Sequence, residues 1–190
     1  EKRNERQMKP NANSTHPSQR EIDKCLLAVG KGDNDALSRL YDLTASSVYA
    51  YSLSLLRNRF DAEDVMHDVF VKVYEAAPDY KSHGKPLAWM LTIAKNMCYA
   101  RFNQSKRVAE ISDEDIERQF ADDAGTDSDD KLVLRAALGS LTSVERQIVV
   151  LHAVSGMKHR EIADMLGIPL STTLSKYNRA LGKLKLIIKE

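Results

Sequence analysis

The chain has 190 residues, of which 43% are hydrophobic and 29% charged, with a formal net charge of +1. That is a soluble globular balance, in a chain long enough for one large or two small domains. No apolar run approaches the roughly 18–20 residues of a membrane span, and no secretory apolar segment is visible. The cysteines, Cys25 and Cys98, lie far apart with no CxxC, so neither a disulfide framework nor a zinc site is expected. A cytoplasmic setting fits, with both thiols as small core residues. The near-neutral sum hides segregation. Residues 108–139 hold three basic and ten acidic side chains, whereas 140–190 hold eight and four, and 18–107 hold thirteen and eleven. An acidic segment between mildly basic ones suggests two binding modules and a tether, not one compact enzyme.

Residues 1–17 are polar and read as a disordered arm or the remnant of a tag. Ser18 and Glu21 form a capping-box pattern ahead of Ile22, Leu26, Leu27 and Val29, and Gly30-Lys31-Gly32 ends that helix. Asp33 caps a long second helix, Asn34 to about Arg57, with Ala36, Leu37, Leu40, Leu43, Val48, Tyr51 and Leu55 inward. A third starts at Asp61, buries Val65, Val69, Phe70 and Val73, and stops before Pro78. After a polar loop, Pro86 opens a fourth helix to about Arg107, with core positions Leu87, Met90, Ile93, Ala94, Met97 and Cys98. Residues 108–129 read as a flexible acidic linker, with at most a short helix around Asp113–Phe120. A last bundle starts near Asp130. There Thr142 and Glu145 cap a helix whose core face is Val144, Ile148, Leu151 and Val154. No strand pattern is visible, so the expected fold is all-α.

The stretch His159–Tyr177 reads as two short helices with a tight turn. Ile162, Ala163 and Leu166 give the first one apolar face, Gly167 permits the positive φ of a helix stop, and Pro169 prevents continuation. Ser171 or Thr172 can cap the second, whose inner face is Thr173, Tyr177, Leu181 and Leu184. An ordinary helical hairpin shares this spacing. The outer face, however, carries Ser171, Thr172, Ser175, Lys176, Asn178, Arg179 and Lys183 with no carboxylate, as a helix entering a DNA major groove would.

Three stretches carry a family resemblance: DAEDVMHDVFVKVYE (Asp61–Glu75), KPLAWMLTIAKNMCYARF (Lys85–Phe102) and LTSVERQIVVLHAVSGMKHREIADMLGIPLSTTLSKYNRALGKL (Leu141–Leu184). Together, in this order, they resemble a bacterial extracytoplasmic-function (ECF) RNA polymerase sigma factor. The resemblance implies two small helical domains. Residues 18–107 would form a four-helix promoter-melting domain, and residues 130–190 a helix-turn-helix domain that reads the −35 element. It implies core RNA polymerase and promoter DNA as partners, duplex at −35 and single-stranded at −10. An anti-sigma factor, a monomeric free state and no catalytic residues, metal or cofactor are further expectations.

Residue by residue, the resemblance assigns polymerase docking to Asp61, Asp64, His67, Asp68 and Lys72. His67 stands where the family usually has Gln. The −10 strand would meet Tyr80, Ser82, His83 and Lys85 in the loop, then Lys95, Asn96, Tyr99 and Arg101 on the next helix. Asn96 matches the family's frequent Asn, whereas Ala100 replaces a common Asp. Trp89 is expected in the core, and Lys106 and Arg107 on backbone phosphate. The −35 element would meet Ser171, Thr172, Ser175, Lys176 and Arg179. Thr173 replaces a usual apolar residue, and Leu174 a usual polar or basic one. The acidic linker fits either a mimic of RNA in a basic channel or a plain tether.

Two other readings compete. A dimeric helix-turn-helix regulator predicts a homodimer on a palindromic site. A metal-dependent nucleotide hydrolase would rest on Glu63, Asp64, His67 and Asp68, and needs a second carboxylate cluster on a facing helix.

Overall fold

The computed structural model describes residues 16–108 and 136–188, and within them every regular element is helical. Seven α-helices follow in order: α1 (Gln19–Val29), α2 (Asn34–Leu56), α3 (Arg59–Ala76), α4 (Pro86–Val108), α5 (Ser143–Ala153), α6 (His159–Leu166) and α7 (Leu170–Ile188). The expected arm, linker and short Asp113–Phe120 helix lie outside the described residues, apart from the ends of those segments.

The caps explain where the helices begin. Asp33 accepts a hydrogen bond from the Ala36 N–H at 3.0 Å and starts α2. Asn58 accepts one from the Asp61 N–H at 3.0 Å, so α3 begins at Arg59, two residues before the expected Asp61. Asparagine caps as well as aspartate does, and it stands earlier in the chain. Ser18 precedes α1 but makes no side-chain cap. Its expected partner Glu21 instead pairs with Arg39 of α2 at 3.1 Å. The Thr142–Glu145 box does form, with bonds of 3.0 and 3.3 Å. Helix α7 begins at Leu170, so Ser171 and Thr172 lie in its first turn, not at its cap.

Helices α1 to α4 surround Ile22, Leu26, Leu40, Val48, Tyr51, Val69, Leu87, Met90, Leu91, Ala94 and Cys98, all without solvent exposure. A Cβ on Gly30 would meet the Ala77 carbonyl, so only glycine lets the end of α1 approach the 3₁₀ turn Ala77–Asp79. Ile148, Leu151, Met157 and Ile162 belong to the same apolar cluster. The two helical units are therefore packed together, which the reading as tethered modules did not anticipate.

Helix α5 causes this. Seven consecutive residues, Glu145 to Leu151, are buried, including Val149 and Val150, while the expected core residue Val154 is 39% exposed. A helix covered nearly all round lies between layers, and α5 sits between α2 on one side and α6–α7 on the other. A smaller cluster of Leu141, Val149 and Ala180 seats α7 on it.

Candidate nucleic-acid interface

The turn between α6 and α7 has the geometry its sequence requires. Gly167 takes φ 69°, and its N–H donates to the Ala163 carbonyl. The Ile168 N–H does the same at 3.1 Å. Thr173, unexposed, satisfies its hydroxyl by donating to the Pro169 carbonyl at 3.2 Å. That bond accounts for a polar residue at an apolar position. Ser171, Ser175 and Arg179 face solvent, Thr172 and Lys176 are half-buried, and Leu174 is 41% exposed. Lys183 does not join this outward set. It reaches back to Glu145 at 2.8 Å and ties α7 to α5. Burial pushes the Glu145 carboxyl up, but hydrogen bonds from Lys183 and from the Thr142 backbone and hydroxyl outweigh it, so the net displacement is downward.

Beneath α7, the rings of His152, His159 and Tyr177 meet, with centroids 4.4 to 5.1 Å apart. Nδ1 of His152 lies 2.9 Å from the Met157 carbonyl, to which a protonated nitrogen donates. Burial, then the neighbouring His152, hold His159 below the usual histidine range. A neutral imidazole is what a helix N-terminus favours, and His159 is the first residue of α6.

The four-helix unit handles its candidate residues differently. Tyr80 donates to Asp23 of α1 at 2.7 Å, and Ser82 donates to the other oxygen of the same carboxylate at 2.8 Å. Burial, then its own bond to Asp23 and the charge of that carboxylate, push the Tyr80 phenol up. Trp89 is half-buried, packs on the core and tilts against Tyr80 at 4.9 Å. Lys85 pairs with Asp164 of α6 at 3.2 Å, and Lys95 donates to the Met165 carbonyl at 2.8 Å. Arg101 bridges Asp61 and Asp64 at 2.8 and 2.9 Å. Thus one residue expected on DNA and two expected on polymerase hold α4 and α3 together. His83, Asn96 and Tyr99 are exposed. The side chains of Lys106 and Arg107 lie outside the described residues.

On α3, beyond its first two residues, the exposed residues are Asp64, His67, Asp68, Val71, Lys72, Tyr74 and Glu75, with Lys72 paired to Glu75 at 3.0 Å. Val71 is 60% exposed and Tyr74 46%, giving the acidic face an apolar seam. No group of three metal-ligating side chains occurs among the described residues. The facing carboxylate cluster that a hydrolase needs is therefore not found there.

Asp23, Asp164, Arg146 and Gln147 were missed from the sequence. Asp23 and Asp164 sit on polar helix faces where nothing local distinguishes them. Arg146 and Gln147 carried a signal, being polar residues immediately before the run Ile148–Leu151.

Comparison with known proteins separates the same two units. The Sigma-70 region 2 model matches residues 40–108, and the Sigma-70 region 4 model matches residues 131–184. ECF RNA polymerase sigma factor SigK of Mycobacterium ulcerans is 26% identical, covering 87% of this chain and 92% of that protein. SigK of Mycolicibacterium vanbaalenii is 29% identical, covering 87% and 88%. Among solved structures, the sigma factor RpoE of Bartonella quintana, seen with the anti-sigma factor NepR, shares the fold with a TM-score of 0.63. It is 23% identical and covers 80% of this chain and 96% of that one. CnrH, seen with the cytosolic domain of CnrY, gives 0.60 at 23% identity, covering 88% and 97%. With both sigma-70 regions present in order along one all-helical chain, the protein belongs to the sigma-70 family, in its ECF group of RNA polymerase sigma factors.

Proposed function

We propose that this sigma factor directs core RNA polymerase to promoters whose −35 element is read by α7 and whose melted −10 strand is held by α4 and the loop before it. The observation that carries the reading is the outward line Ser171, Ser175 and Arg179 on the second helix of a helix-turn-helix, on a chain that also holds region 2. Ser171, Thr172, Ser175, Lys176 and Arg179 are the −35 set. Side chains at the N-terminal end of such a helix reach base edges, and cations further along hold phosphate.

The −10 set is Tyr80, Ser82, His83, Lys85, Lys95, Asn96, Tyr99 and Arg101. A base that leaves the stack needs an aromatic surface and hydrogen-bonding edges, with cations for the backbone. Polymerase docks on Asp61, Asp64, His67, Asp68 and Lys72, with all but Asp61 exposed. Residues 18–107 form the melting domain, 108–129 the linker and 130–190 the reading domain. The protein performs no chemistry of its own, uses no cofactor or metal, acts in the cytoplasm and is monomeric when free. The Bartonella sigma factor is seen with the anti-sigma factor NepR, and an anti-sigma factor is the partner expected here too.

The test is run-off transcription on a promoter-fragment library with cognate core polymerase, with and without the protein. Start sites that require the protein, and that weaken with Asp68→Ala, are expected. No protein-dependent transcript together with no binding to core would overturn the reading.

A further inference from the structure

Two adjacent residues of α7 are inverted relative to what packing alone would choose. Thr173 is unexposed, whereas Leu174 is 41% exposed. Burying a leucine side chain is favourable and burying a hydroxyl is not, so packing would turn the leucine inward and the threonine outward. The register of the helix is fixed elsewhere. Ala180, with Tyr177 and Leu184 beside it, seats α7 on Leu141 and Val149. Thr173 falls on that same face, and Leu174 is turned ~100° from it by the helical repeat.

The buried hydroxyl adds little where it lies. It donates to the Pro169 carbonyl at 3.2 Å, and that carbonyl already accepts from the Thr173 N–H at 3.0 Å. A valine would fit the same space and leave no group unpaired. The chain thus holds a polar residue where an apolar one would serve, and beside it an apolar residue where packing asks for none.

Leu174 joins none of the apolar clusters formed by the described residues. It stands in the outward stripe of Ser171, Leu174, Ser175, Asn178 and Arg179, all exposed and spaced i, i+3, i+4, i+7 and i+8. The helix carries no carboxylate. Leu174 also lies within the first two turns of α7, the part of a helix-turn-helix reading helix that meets base edges. A single exposed leucine means little by itself. Set between two serines on a groove-facing stripe, it has few partners to choose from. Its neighbours can hydrogen-bond base edges or phosphate, and it can do neither. The major-groove edges of the base pairs offer one apolar group, the C5 methyl of thymine.

We propose that Leu174 is a specificity-determining residue that packs on the C5 methyl of a thymine in the −35 element. Ser171 and Ser175, one turn before it and next to it, hold the helix against the same groove. The proposal rests on the reading of duplex DNA by α7, and adds the identity of one base that α7 requires.

The test uses the full chain with core polymerase and a −35 duplex selected from the promoter-fragment library. Each thymine of either strand is replaced in turn by deoxyuridine, which deletes the methyl and keeps every hydrogen-bonding group. Binding is read by competition with the unmodified duplex, for the wild type, Leu174→Ser and Leu174→Met. Leu174 lies outside the core, so both variants keep the fold. At one thymine, deoxyuridine should weaken wild-type binding about fourfold, the worth of one buried methylene-sized group. Leu174→Ser should bind the two duplexes equally, and Leu174→Met, which keeps an apolar reach, should restore the difference. A series flat at every thymine, or a selected element without thymine, would overturn the proposal and leave Leu174 to a protein contact. A methyl effect as large in Leu174→Ser as in the wild type would overturn it too, by assigning that methyl to another side chain. Equal wild-type binding to the selected duplex and a scrambled one would sink the reading by α7 itself, and the thymine contact with it.

Discussion

The unit proposed to melt promoter DNA and the unit proposed to read it present their candidate residues in opposite ways. In α1–α4, Tyr80 and Ser82 are held by Asp23, Lys85 and Lys95 by α6, and Arg101 by Asp61 and Asp64. In α7, Ser171, Ser175 and Arg179 project outward, and the tie Lys183–Glu145 lies at the back of the helix. On the proposed assignment, the contrast follows the chemistry of the targets. A duplex exists before the protein arrives, so its reader can stand ready. A single strand exists only after melting, and an uncovered basic strand-binding face would bind nucleic acid indiscriminately.

The strongest attempt to break this contrast asks whether the two units are separable at all. Leu151 is unexposed and shares a core cluster with Leu55 and Leu91 across the seam. Leu151→Ala should cost about 2–5 kcal/mol. Trp89, the chain's one tryptophan, sits in the other unit, so its fluorescence midpoint should fall together with the circular-dichroism midpoint. Two separated midpoints, with tryptophan unmoved, would show independent units. Next, Arg179→Ala should weaken −35 duplex binding by about 1–3 kcal/mol if it reads a base, with relaxed preference at one position. A uniform loss with a shallower salt slope would instead assign it to phosphate. Binding of the proposed −10 single strand should not change with it.

Smaller effects sharpen the comparison further. Glu145→Gln weakens the ion pair with Lys183 and the cap with Thr142, and should cost the reading unit about 1–2 kcal/mol by thermal melting. Acid should act on the same unit. His159 and Glu145 both have folded pKa values below their unfolded ones. Each therefore supports folding above the unfolded value and loses that support as pH falls through the folded one. For His159 the loss begins near pH ~6.5 and for Glu145 near ~4.3. His159→Phe should flatten the higher-pH step in a melting-temperature profile and leave the lower one. An unchanged profile would remove His159 as the cause.

Among the described residues, helix type and rough position were legible because apolar spacing and caps agree locally: Asp33, Thr142 with Glu145, and Gly167 all act as their residue types suggest. The outward placement of Ser171, Ser175 and Arg179 was legible for the same reason, since one amphipathic helix fixes which side faces out. Relations between helices were not. Nothing near Lys85 announces Asp164, 79 residues away, and nothing near Tyr51 announces Gln147, 96 residues away. Ser18 and Glu21 misled because Arg39, from another helix, competed for the glutamate. Helix α5 misled because periodicity assumes one wet face, and that helix has almost none.

Both thiols lie inside the melting unit, Cys25 at 7% and Cys98 at 0% exposure. Burial pushes the Cys98 thiol up to about 11 and raises that of Cys25 as well. A thiol without thiolate character and without access is a poor target for peroxide or disulfide exchange. Oxidants should pass this molecule by, so a redox stimulus would have to reach it through a sensor elsewhere. The same inertness makes a clock: Cys98 should react with a thiol reagent only as fast as its surroundings come apart.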